Sequence, residues 1–345
     1  MPSFVFWKAF DVKNYILILT TLASLTAAPL QASMVDEVLD DQILPGMQTL
    51  AEMSDDLAQT SQTACQAGDA RLQNAFGAAF DAWIRVSHLR FGPTETNNRA
   101  FALSFWPDSR GKIPKTLAAT LSREDTSLLP PEAFAQTSIA GRGFYALEYL
   151  LFDPVLTAEP ETPFKCQLIQ AVSQDIALTS AAIQADWEQT YANQMREADG
   201  RYSDESEVKQ ELFKSLNTGL QMLSDMRLGR PLGSFDAPRP KRAEAWRSGR
   251  SQHHIVLALQ SLHPLAVALA DGDQPLIDAL DAAFEKPITR ALRLDDPSLA
   301  GVADPAKRFR IEALQQEIRD LKLLVESDLG PSLGVQAGFN SLDGD

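Results

Sequence analysis

The chain has 345 residues, with 31 Lys and Arg against 46 Asp and Glu, for a formal net charge of −15. A hydrophobic share of 45% suits a globular protein of one or two domains and excludes a disordered or collagen-like chain. The acid excess opposes nucleic-acid binding, and four His with two Cys leave little material for a zinc site of nitrogen and sulfur alone.

Residues 1–32 read as an export signal. Lys8 and Lys13 precede an uncharged run from Tyr15 to Ala28 that is too short for a comfortable membrane span. Its removal leaves a mature chain of charge −16, expected to be exported and soluble, with no lipid-bearing Cys and no transmembrane span. Export gives Cys65 and Cys166 two readings: a structural disulfide closing a loop of about a hundred residues, which is the expectation, or two buried free thiols.

Most later segments read as helix. In 69–90, Leu72, Phe76, Phe80, Trp83 and Ser87 recur at spacings of three and four behind an Asp69 cap. Residues 163–195 carry a similar stripe, and in 205–228 Val208, Leu212, Leu216, Leu220 and Leu223 form another, which Gly229 is expected to stop. Asp304-Pro305 opens a last helix whose Ile311, Leu314, Ile318, Leu321 and Val325 repeat as a bundle seam. No segment alternates with period two, so the fold class is all-α, with helical bundles. The expected divisions are a bundle over 33–228, a Pro- and Gly-rich linker over 229–242, a second bundle over 243–330 and a tail over 331–345. The aromatic-rich stretch 91–115, with Phe101, Phe105 and Trp106, reads as a packed loop.

The segment 141–153, GRGFYALEYLLFD, is apolar on every side from Phe144 to Phe152 except at Glu148. A carboxylate in a buried helix must be protonated, paired with a base or bound to a cation. Tyr145 lies one turn before it on the same face. Two readings follow: a buried pair that only joins bundles, or a ligand or metal site. Partners are expected in 243–251, AEAWRSGRS, where a helix would place Arg247, Arg250 and Ser251 on one polar face; a solvated basic turn is the plainer alternative. His253 and His254 would diverge on a helix and cannot form the spaced pair of a zinc helix, while His88 and His263 read as packing residues. No HExxH, GxSxG, phosphate-loop or dinucleotide pattern occurs.

The run SIAGRGFYALEYLLF (138–152) resembles the GxHxxE signature of imelysin-like proteins. Gly143 and Glu148 match, and Tyr145 stands at the His position. AWIRVSHLRFGPTETNNRAFALSFWPDSRGK, GRPLG…AEAWRSGRS and GFNSLDGD resemble a periplasmic branch of the same family, so the likeness covers the mature chain. It implies two helical bundles related by duplication, with the motif near their interface; the pair Ala82-Trp83-Ile84-Arg85 and Ala245-Trp246-Arg247-Ser248 is a faint echo of that. The family is classed with metallopeptidases and is associated with envelope iron uptake.

The resemblance and the residues together give the expected function: a non-catalytic periplasmic protein binding a ligand or a metal, connected with iron uptake. A metallopeptidase and a structural docking module of the envelope are the alternatives. The expected site comprises Gly143, Tyr145, Glu148, Arg247, Ser248 and Arg250, lined or braced by Trp83, Arg85, Trp106 and Asp108. Tyr145 and Glu148 are the candidate metal ligands, for iron or another divalent ion. A small anionic ligand or metal chelate and envelope iron-uptake components are the expected partners.

Overall fold

The structure is a computed structural model that describes residues 1–4, 33–158 and 160–335. Residues 5–32 of the expected signal segment and most of the tail lie outside the described residues. Nine helices organise the description: α1 (Leu44–Thr63), α2 (Ala70–Val86), α3 (Lys112–Arg123), α4 (Gly143–Phe152), α5 (Pro163–Asp186), α6 (Glu205–Gln221), α7 (Ser251–Leu269), α8 (Gln274–Leu292) and α9 (Pro305–Leu324). Among the described residues there is no strand, only one isolated bridge between Ser234 and Ala237.

The caps read from the sequence are in place. Asp69 accepts the Arg71 N–H at 2.9 Å, and Asp304 accepts that of Ala306 at 2.9 Å ahead of Pro305. Gly229 does not stop its helix. The chain turns on through Met222–Leu228 and Gly229–Leu232, and ends at Gly233, whose φ of +55° supplies the left-handed exit.

Helices α1, α2, α4 and α5 pack as one bundle, and α6, α7, α8 and α9 as a second. Helix α6 therefore has its neighbours in the second bundle, although the sequence reading places 205–228 in the first. Helices α2 and α7 cross between the bundles, and one apolar core runs through both. At that crossing Phe80 stacks on Phe144 at 4.9 Å and meets the edge of His254 at 4.5 Å. Cys65, just beyond α1, is joined by a disulfide to Cys166 in the first turn of α5. The two copies of the sequence echo differ in backbone: Trp83 lies inside α2, whereas Trp246 lies in a turn.

Candidate functional site

Helix α4 is buried along almost its whole length because Glu148 is the only charged side chain on it. Its first residue, Gly143, has φ +72°, and a Cβ there would fall 2.2 Å from the Ala102 carbonyl oxygen and 2.4 Å from that of Leu103. The bare backbone lets the short helix Arg99–Leu103 seat against the start of α4. That contact brings Trp106 to Tyr145, with ring centroids 6.4 Å apart.

Residues 243–250 form a turn, not the helix expected. Ala245 at φ +49° and Gly249 at φ +67° break the helical path, so spacings of three and four do not decide which side chains meet. The polar side chains of this turn are instead held one by one from the first bundle. Glu148 Oε1 accepts both the Ser248 N–H, at 3.0 Å, and its hydroxyl, at 2.8 Å. Arg247 donates to Asp153 at 2.6 Å, with its guanidinium 3.5 Å from the Tyr149 ring centroid and 4.4 Å from that of Trp246. Arg250 grips Asp81 with two nitrogens, in space left by Gly77, where a Cβ would lie 2.8 Å from the guanidinium. Tyr145 donates its hydroxyl proton to Glu244 Oε1 at 2.6 Å, while Arg227 donates to Oε2 at 2.6 Å.

Charge is distributed unevenly over these groups. Burial pushes the Glu148 carboxyl above its ordinary value, outweighing the Ser248 hydrogen bonds and the Arg247 and His254 charges. Burial acts on Glu244 in the same sense, but there Arg227, His254 and Tyr145 together prevail and hold the carboxyl at about 2. Asp81 is likewise held at about 2, with burial overcome by His254 and Arg250. His254, fully buried, faces both, with Nδ1 3.5 Å from Glu244 and Nε2 3.6 Å from Asp81.

A cavity of about 110 Å³ opens beside this junction. Trp106, Tyr145, Glu148 and Tyr149 form one side, and Arg230, Lys241, Arg242 and Arg247 bring four cations to it. Asp108 also lines it, but both its oxygens are occupied, accepting the Lys112 and Ile113 N–H groups at 2.8 Å each. Of the expected site residues, Tyr145, Glu148, Trp106, Asp108 and Arg247 meet at the cavity. Ser248 and Arg250 brace the turn behind it. Trp83 is buried in the core and Arg85 is exposed on α2 without a polar partner among the described residues, so neither lines the cavity. Sequence reasoning missed Asp81, Asp153, Arg227 and Arg230. Arg227 carried a signal, as a lone charge four residues after Leu223 on an apolar stripe.

The residues do not fit a metal ion. The Tyr145 hydroxyl is committed to Glu244 at 2.6 Å, and burial and the Glu244 charge raise its pKa well above the ordinary phenol value. Glu148 spends one oxygen on Ser248. Among the described residues no three His, Cys, Asp or Glu side chains converge on a point where a metal could be held.

The imelysin family model, that of peptidase family M75, matches residues 43–325. No curated protein matches. Two solved structures share the fold. An imelysin-like protein from Psychrobacter arcticum 273-4 is 20% identical with a TM-score of 0.75, over 88% of this chain and 96% of that one. A candidate iron-regulated protein A precursor from Parabacteroides distasonis ATCC 8503 is 15% identical with a TM-score of 0.68, over 87% and 93%.

Proposed function

The chain belongs to the imelysin family, and we propose that this member is a non-catalytic, exported binding protein that takes a small anionic ligand at the seam of its two bundles. The observation that carries this reading is the cavity beside Glu148, where four cationic side chains converge and the carboxylates are already engaged by internal donors. A hydrolytic metal centre would require three protein ligands and an open position, and this donor set does not provide them. Export is supported by the signal chemistry of residues 1–32 and by the disulfide, and no described helix is long and apolar enough to cross a membrane. A role in iron handling is supported by the iron-regulated description of one structural neighbour; an anionic chelate would carry the metal without a protein ligand.

The test is mass spectrometry and metal analysis of the protein purified from its own envelope fraction. The expected result is a co-purifying small anion, lost on charge reversal by Arg230→Glu. Recovery of a stoichiometric protein-bound metal with chelator-sensitive peptidase activity would overturn the reading.

A further inference from the structure

The cavity cations divide into two kinds. Arg247 is neutralised by Asp153 and sandwiched between Tyr149 and Trp246, so its charge is already used inside the fold. Arg230, Lys241 and Arg242 have no carboxylate partner among the described residues. Arg230 donates only to the Ser109 hydroxyl, at 3.2 Å, and its Nε is buried with no hydrogen-bond partner. Its guanidinium lies 5.8 Å from the Trp106 ring centroid, as Lys241 Nζ does from that of Trp246, so aromatic faces hold both cations in place. Burial and the neighbouring Arg242 charge both work against the charge on Arg230.

Lys241 and Arg242 are exposed and Arg230 is half-buried, and the two acids that share the cavity lining are turned to other donors, Asp108 to the Lys112 and Ile113 N–H groups and Glu148 to Ser248. Carboxylates elsewhere on the chain do not cancel the local field, since charges more than about 8 Å away are largely screened at physiological salt. A buried donor without an acceptor is destabilising, and an incoming oxygen would relieve it.

Resting on the reading of this cavity as the ligand site, we propose that it selects a compact oxyanion carrying at least two negative charges, with Arg230 and Arg242 as its main charge partners and Lys241 at its rim. Phosphate and polycarboxylate groups share this chemistry. A singly charged carboxylate satisfies one guanidinium and leaves the others in repulsion.

The experiment is calorimetric titration of the purified mature protein with inorganic phosphate, citrate and acetate at neutral pH, in low and in physiological salt. Phosphate or citrate is expected to bind at least ten-fold more tightly than acetate, with affinity falling steeply as salt rises. Which of the two binds more tightly identifies the source. Arg230→Gln and Arg242→Gln are each expected to weaken binding at least ten-fold with an unchanged far-UV spectrum, while Lys286→Gln, on α8 and outside the cavity lining, leaves it unchanged. Acetate binding as well as citrate would overturn the multivalent assignment and leave the cavity reading standing. If none of the three binds the folded protein, both fail.

Discussion

The Tyr145 hydroxyl lies 2.6 Å from Glu244 Oε1, a bond between the residue at the motif histidine position and a carboxylate 99 residues further along the chain. The opposite oxygen of Glu244 is held by Arg227. Tyr145 therefore acts as a neutral donor to a buried anion and joins the first bundle to the turn at 243–250.

Removing that donor tests its worth. Tyr145→Phe keeps the ring packed between Phe80 and Trp106 and deletes only the hydroxyl. A hydrogen bond to a charged group contributes about 1.5–3 kcal/mol, so urea unfolding should show a loss of that size. A loss below about 0.5 kcal/mol would mean the bond is not made in solution.

Glu148 should reveal itself through pH. Its folded pKa is raised by burial, so the folded state holds its proton more tightly than the unfolded chain does. The contribution to stability is full below the ordinary value of 4.5 and is lost as pH rises through the higher folded value. Glu148→Gln retains an acceptor for Ser248 and cannot ionise. Its stability relative to the parent should improve as pH rises above 4.5 and level off once the folded carboxyl is ionised, measured by denaturant midpoints. Glu148→Ala, which strands the Ser248 N–H, should cost about 1–3 kcal/mol at every pH.

Acid unfolding should proceed in two stages with separate owners. Burial and the Arg227 charge lower His88 from 6.5 to about 4, so its contribution is present above 6.5 and is lost as pH falls toward 4. Glu244 and Asp81, held at about 2, contribute above their ordinary values of 4.5 and 3.8 and lose it as pH falls toward 2. His88→Gln should flatten the upper stage and Asp81→Asn the lower. Glu244→Gln also breaks a buried pair and should cost about 3–5 kcal/mol at neutral pH.

The Cys65–Cys166 disulfide spans 101 positions. Closure of a loop of that length restricts the unfolded chain by about 4–5 kcal/mol. The double substitution Cys65→Ser, Cys166→Ser should lower the denaturant midpoint accordingly while leaving anion titration unchanged, because neither residue approaches the cavity.

The fold was legible where local pattern decides structure. The stripes of α2, α6 and α9 and the Asp69 and Asp304 caps follow from spacing alone, and Glu148 stood out because a charge in a wholly apolar run has few explanations. Its partners were harder to read. Ser248 reaches Glu148 because Ala245 and Gly249 take left-handed conformations, which no helical spacing anticipates for an alanine. Asp81 and Arg227 sit on helices that look ordinary in isolation and become site residues only where the bundles dock. Arg230, Lys241 and Arg242 fall in a stretch whose Pro and Gly content reads as a linker, yet its turns aim three cations at one cavity.

The bare backbone at Gly143 has a reach beyond its own helix. It lines no part of the cavity, but the carbonyls of Ala102 and Leu103 rest where its side chain would be, and Trp106 follows them by three residues. Even an alanine there would lift that segment and carry one wall of the cavity away with it. A variant at this position would present as a binding defect at a distance, with the cations intact and the aromatic support for Arg230 displaced.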